Sequence, residues 1–258
     1  MSLQSVSASS RFARPVPQPT IPTSAYLDEV QEERLPFTVR LVSNEQDLRK
    51  AVEIRHAAYA RHMPTVAQTL REPEALDRDS ASAILLAESK LDGSPIGTIR
   101  LQTNRYHPIA LEQAVQLPDW LKGKTMAHVS RLGVAQGMAG RLVKTVLIKA
   151  SFQYCEAHDI EWAVVAARTP LDRQYAALMF EDIFPEAGFV PLAHMNHVPH
   201  RLMSFEIASG KKRWTQAQHP LLAFFCSTYH PDIDVISEPA PAITLNQALD
   251  AQAEARLQ

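Results

Sequence analysis

Residues 37–42 alternate apolar and polar positions as a half-buried strand does, and the pattern then changes period. From Leu48 through Val52, Ile54, Ala58 and Tyr59 the apolar positions fall at helical spacing, and Ser43 followed by Gln46 reads as a capping box that starts this helix. The polar stretch 64–80 predicts a long loop. Two apolar runs, 83–87 and 96–103, flank a turn containing Asp92 and Gly93 and predict a β-hairpin. After an interruption at Pro118 and Asp119, the run 126–134 has the aliphatic character of a buried central strand and leads into a helix from about 140 to 157. A strand over 160–166, a helix over 171–181, a turn at 186–188 and a strand within 199–207 complete the core, and 221–229 reads as a further helix. The succession β-α-β-β-β-α-β-α-β predicts an α/β sandwich with a mixed, partly antiparallel central sheet.

The ends of the chain carry no such pattern. Residues 1–35 are rich in Ser, Pro and Gln and predict a flexible N-terminal arm, because little apolar surface is present to offset the entropy of ordering it. One domain over 36–210 and an accessory C-terminal helical segment over 211–258, with a last helix through Leu245, Leu249 and Ala253, follow from the same reading. A formal charge of -2 and a pI near 6.6 give no global attraction to nucleic acid or to an anionic membrane. No 18-residue apolar span and no N-terminal hydrophobic region occur, so a cytoplasmic protein without an integral membrane segment is expected. Cys155 and Cys226 are far apart, lack a metal-like spacing and stand in no nucleophile context, which fits a reducing compartment.

The stretch 127–149 concentrates the candidate chemistry, since a strand passes into a helix through Gly137 and Gly140 and such a junction presents free N–H groups to an anion. On a regular strand His128, Ser130, Leu132 and Val134 share one face, and Val129, Arg131 and Gly133 the other. Arg141 and Lys144, three apart at the helix start, can point together at a phosphate. Arg100 and Arg131 lie in apolar strands, where each guanidinium needs an anionic partner: a substrate carboxylate, or a protein carboxylate such as Asp77 or Asp79. His194, His197 and His200 have a spacing that suggests a metal run, but residues three apart on a strand face opposite sides, so no metal site is expected.

The strand Gly97-Thr-Ile-Arg-Leu101, the strand His128-Val-Ser-Arg-Leu-Gly-Val134, the turn before Ala139-Gly140, and Ile54-Arg55 with Tyr59 together resemble the GNAT-like acyltransferases. Within them the pattern is similar to the long-chain N-acyl amino acid synthases, which are related to the acyl-homoserine-lactone synthases. That resemblance implies transfer of a medium or long fatty acyl group from an acyl-carrier-protein thioester, a 4'-phosphopantetheine thioester, to the α-amine of an amino acid. No resident cofactor is implied, the acyl carrier protein is the expected partner, and acyl-CoA is an alternative donor.

Amide formation needs a base for the amine, donors for the thioester oxygen and a fate for the thiolate. Where the lactone synthases have E-x-S-R-F, this chain has His128 followed by V-S-R-L, so either His128 or Glu88 on the neighbouring strand acts on the amine, and Ser130 donates to the thioester. The resemblance further assigns Arg100, Arg131, Arg55 and Tyr59 to the substrate and Gly140, Arg141 and Lys144 to the phosphopantetheine arm. Phe184 occupies the place of the tyrosine with which many such enzymes protonate the thiolate, leaving Tyr175 as a candidate. Lys122, Lys124, Lys149, Lys211, Lys212 and Arg213 are further cations available to an acidic carrier. The alternatives are an acyl-CoA-dependent N-acetyltransferase, a lactone synthase using S-adenosylmethionine, and a catalytically degenerate acyl-ligand-binding protein.

Overall fold

The computed structural model describes residues 30–192 and 198–236. The strands are β1 (Gln31–Glu32), β2 (Phe37–Leu41), β3 (Ser82–Ser89), β4 (Pro95–Thr103), β5 (Met126–Val134), β6 (Trp162–Ala167), β7 (Glu181–Asp182), β8 (Phe189–Pro191), β9 (Pro199–Glu206), β10 (Thr228–Tyr229) and β11 (Ile233–Asp234). The helices are α1 (Glu45–Ala60), α2 (Pro64–Thr69), α3 (Ala110–Ala114), α4 (Met138–Ala157), α5 (Leu171–Ala177), α6 (Gly210–Gln216) and α7 (Leu222–Cys226). Nine strands form one sheet in the order β11-β2-β3-β4-β5-β6-β9-β7, with β8 also on β9. Only β11/β2 and β5/β6 are parallel, so the sheet is mixed, as the order of elements predicts.

Two helices cover the sheet from opposite sides, and two glycines show which side each takes. A Cβ on Gly97 of β4 would fall 2.4 Å from Val143 of α4, while one on Gly133 of β5 would fall 3.0 Å from the backbone of Arg55 in α1. The α4 side buries the larger core, with Val143, Val146, Leu147 and Ala150 against Leu85, Ile99, Leu101 and Val129. On the other side Leu48, Ala51 and Val52 of α1 pack on Ile84 and Leu86. Each such fully buried aliphatic side chain stabilises the fold by roughly 1.5–3 kcal/mol. No helix among the described residues is long and apolar enough to cross a membrane.

Several local expectations are corrected. Helix α1 is capped by Asn44, whose Oδ1 accepts from Asp47 N at 2.9 Å, and not by Ser43. The stretch 64–80 contains α2 and a 3-10 turn, Ala75–Asp77, held because Glu74 N donates to Asp77 Oδ2 at 2.8 Å. Helix α5 ends at Ala177, and Met179 at φ 68 turns the chain into β7. Residues 211–236 are not an accessory to the core. Trp214 is buried among Phe152, Phe205 and Phe225, Val235 is buried, and Ile233 pairs with Val39. Lys149 of α4 donates to the Phe224 and Thr228 carbonyls, which ties this segment to the central helix. Gln31 and Glu32 pair with β10 and Leu35 is buried, so 30–35 dock on the domain. Residues 1–29 and the expected helix through Leu245 lie outside the described residues.

Candidate active site

Strands β5 and β6 pair over only three positions, Met126 with Trp162, Ala127 with Ala163, and His128 with Val164. Beyond His128 they part, and a cleft of about 750 Å³ opens between them. The cause lies on the other edge of β5. Arg100 is opposite Ser130, yet Thr98 is opposite Gly133, so β5 carries one residue more than β4 over this span. That is a β-bulge, with Arg131 in the left-handed region at φ 55. A bulge bends its strand and increases local twist, which carries β5 away from β6.

The bulge also changes the predicted face of every residue after it. His128 and Ser130 lie opposite Gln102 and Arg100, on the side of the sheet that α1 covers. After the extra residue, Gly133 takes that side against Arg55 and Ala58, while Leu132 and Val134 join the apolar core under α4. The expectation that 128, 130, 132 and 134 share one face therefore holds only for His128 and Ser130. Both line the cleft floor. His128 is 5% exposed, and the Ser130 Oγ is buried without a hydrogen-bond partner among the described residues.

Arg131 in the bulge is gripped by Glu74, its Nε and Nη2 each donating to one carboxylate oxygen at 2.6 Å. Asp77 accepts from Arg55 at 2.7 and 3.0 Å and from Arg100 at 2.9 Å, and Arg100 also reaches Glu74 at 3.1 Å. Three guanidinium groups thus share two carboxylates. Burial pushes the Asp77 and Glu74 carboxyls up, but the hydrogen bonds and charges of Arg55, Arg100 and Arg131 outweigh it and hold both below their ordinary values of 3.8 and 4.5. Depressed carboxyl values stabilise the fold above the unfolded-state values, and this contribution disappears as pH falls through the folded-state ones. The urea midpoint is accordingly expected to stay level from pH 7 to about 5 and to fall below about pH 4.5. Replacing Asp77 and Glu74 together with their amides should flatten that acid limb.

A search for known relatives finds no protein-family model and no curated protein that matches the sequence. Among solved structures, FeeM, an N-acyl amino acid synthase from uncultured soil microbes, superposes with a TM-score of 0.54 at 15% identity, over 73% of this chain and 96% of that one. BjaI, a CoA-dependent acyl-homoserine lactone synthase, superposes with a TM-score of 0.50 at 15% identity, over 82% of this chain and 99% of that one. The fold is GNAT-like.

Within the GNAT-like fold the predicted site residues divide into two groups. His128, Ser130, Arg131, Tyr59 and Lys144 line the cleft. Arg55 and Arg100 do not: both are buried against Asp77 and Glu74, which compensate their charge, although the Nε of each has no hydrogen-bond partner among the described residues. Glu88 is also corrected. It binds Arg40 and Lys50, and its register beside Pro95 puts it at the far end of β4 from Gln102, which faces His128.

Gly140 is required by its own chain and not by a ligand, because a Cβ there would lie 1.9 Å from the Ala135 carbonyl oxygen. Gly140→Ala is expected to destabilise the fold by about 1–3 kcal/mol in urea melts. The sign is opposite to alanine's helix advantage of about 1 kcal/mol. Gly137, at φ 89, is the residue that makes the bend. Arg141 is exposed on the first turn of α4. Lys144 donates to Gln174 of α5, and burial, followed by the charge of Arg141, holds its ammonium below the ordinary lysine value.

Tyr175 is removed as a proton donor, since it is buried with its ring 5.1 Å from Phe180, and burial pushes its phenol up. Phe184 packs in a second apolar cluster. Cys155 is buried with its thiol pushed up to about 12, and neither cysteine lines the cleft. Among the expected surface cations, Lys122 pairs with Asp119, Lys124 with Glu161 and Arg213 with Glu181. His194 and His197 lie outside the described residues, and among the described residues no cluster of three His, Cys, Asp or Glu could hold a metal.

One cleft residue, Glu74, escaped the sequence reading. Glu74 sits in a stretch, Glu72-Pro-Glu-Ala-Leu-Asp77, that looks like any polar loop; the three-residue spacing of Glu74 and Asp77 is its one local signal. His200 lines the cleft, and its Nδ1 donates to the Val198 carbonyl at 2.6 Å, which leaves Nε2 as the basic nitrogen of the neutral ring. The alternation of β6 and β9 places it on the same sheet face as His128, through Val164, Ser204 and Leu202.

Proposed function

We propose that this chain is an N-acyltransferase that moves a medium or long fatty acyl group from an acyl-carrier-protein thioester to the α-amine of an amino acid by direct attack. One observation carries the reading: a buried hydroxyl without a partner among the described residues, Ser130 Oγ, and an imidazole, His128, share a sheet face where two parallel strands separate around a cleft of about 750 Å³. A donor site beside a base is what thioester aminolysis requires.

In this mechanism the amine gives a proton to His128, directly or through a water, and attacks the thioester carbonyl. Ser130 donates to the carbonyl oxygen as its charge develops. The C–N bond forms, the C–S bond breaks, and the thiolate leaves with the proton returned from the imidazolium or from solvent. The products are an N-acyl amino acid and a free thiol. Neither Tyr175, which is in the core, nor position 184, which is Phe, supplies a phenol for the last step. The apolar lining supplied by Met63, Val66, Leu132 and Leu171 suits an alkyl chain.

The test is incubation with acyl carrier protein thioesters, acyl-CoA and a panel of amino acids, followed by mass spectrometry. Acyl amides formed from carrier-bound donors support the reading. Product from acetyl-CoA alone, or lactone formed from S-adenosylmethionine, overturns it in favour of a different acyl transfer.

A further inference from the structure

The charged groups that line the cleft are unequally matched. Glu74 is its one carboxylate among the described residues, and that carboxylate is already taken by Arg131, Arg100 and Arg55. Against it stand Arg61, Arg131, Lys144 and Arg168. Arg61 donates to the carbonyls of Ala57 and Val134, at 3.1 and 2.6 Å, and Lys144 donates to Gln174. Arg168 differs from these three. Its carbonyl accepts from Leu171 N at 2.7 Å and Asp172 N at 3.2 Å, which fixes its backbone at the start of α5, yet among the described residues its guanidinium meets neither an anion nor any other acceptor.

Partial enclosure makes this imbalance matter. Walls of low dielectric focus the field of unmatched charge into a cleft, where a ligand anion replaces the missing protein carboxylate. The arginines that the sequence offers for substrate recognition, Arg55 and Arg100, are charge-paired with Asp77 and Glu74 and do not line the cleft, so an anionic group entering it has to be met elsewhere.

We propose that Arg168, together with Lys144, forms an anion-binding subsite that takes the carboxylate or phosphate group of one of the two substrates. Which substrate supplies the anion rests on the acyltransferase reading: the carboxylate would come from the amino acid, the phosphate from the phosphopantetheine arm. The guanidinium fork suits either, by paired charge-assisted hydrogen bonds.

Calorimetric binding to the full chain separates the sources without turnover. N-dodecanoylglycine is compared with its neutral glycinamide counterpart, and 4'-phosphopantetheine with pantetheine. The wild-type chain is expected to bind the charged member of one pair about tenfold or more tightly than the neutral member. Arg168→Gln should abolish that preference while leaving affinity for the neutral member unchanged, and Arg168→Lys should keep part of it. Loss in the glycine pair assigns the carboxylate, and loss in the pantetheine pair assigns the phosphate. No charge preference in the wild type, or a preference that survives Arg168→Gln in both pairs, overturns the subsite. Absence of any N-acyl product from the wild-type enzyme would instead remove the acyltransferase reading and leave the binding result standing.

Discussion

Alanine at position 128 is expected to slow acyl transfer about 10²–10⁴-fold, the usual loss when a positioned general base is removed. His128 lies on the cleft floor at the last paired position of β5 and β6, so its backbone is fixed by strands on both sides. Truncating it deletes the base and leaves a small cavity, so a lower unfolding midpoint is expected while circular dichroism should show the fold intact at the assay temperature. Single-turnover measurements with carrier-bound and small thioesters isolate the chemical step from donor docking. Ser130→Ala removes a hydrogen bond to the developing oxyanion, and a loss of about 10²-fold is expected. Glu88→Gln is the control that separates the two acid–base readings of the sequence. Its carboxylate serves Arg40 and Lys50 at the far end of the hairpin, so the rate should stay within about twofold and only stability should move. A chain with His128→Ala at full rate and Glu88→Gln without activity would reverse the assignment.

The second large effect concerns stability. Asp77→Asn is expected to destabilise the protein by about 3–5 kcal/mol, because Arg55, fully buried, and Arg100, 3% exposed, would lose the carboxylate that compensates them. For a domain of this size that corresponds to a fall in the unfolding midpoint on the order of 10 °C. Calorimetry of Asp77→Asn, of Arg55→Met and of the double variant tests the cause. If an uncompensated buried charge is responsible, the double variant loses clearly less than the two singles added together. Simple additivity would mean that Asp77 acts only by holding its own 3-10 turn, through the bond from Glu74 N.

This network also explains how the site is held in shape. Arg131 has a backbone conformation that costs a non-glycine residue of order 1–3 kcal/mol, and the bidentate grip of Glu74 offsets it. The strained residue, the bulge and the divergence of β5 from β6 are one feature. Arg55, Arg100 and Arg131, which the sequence offers as substrate ligands, instead support the strand on which His128 and Ser130 stand.

What the residues alone made legible was local. Strand alternation over 37–42, the hairpin around Asp92-Gly93, the helical stripe from Leu48 and the apolar run into α4 depend on neighbours within a few positions, and each appears where the pattern puts it, within a few residues. The mixed sheet and the GNAT-like arrangement follow from their order, and His128 and Ser130 share a face because two residues apart on a strand always do. Where the chain contained a competing long-range constraint, the reading failed. The bulge is a mismatch between β4 and β5 and has no signature in β5 alone, so Leu132 and Val134 were expected on the wrong face. Asp77 is a partner the sequence offers for Arg100 and it takes that role, but Glu74 joins it as a centre of charge only when the 3-10 turn meets Arg55, Arg100 and Arg131 from three separate elements. The 211–236 segment was expected to be an accessory to the core, yet Trp214 and Phe225 complete a cluster begun by Phe152 and Phe205, contacts that no local pattern announces. Sequence determined the elements and the chemical groups this protein has; tertiary structure decided which charges cancel one another, which remain for a ligand, and where the sheet opens to receive it.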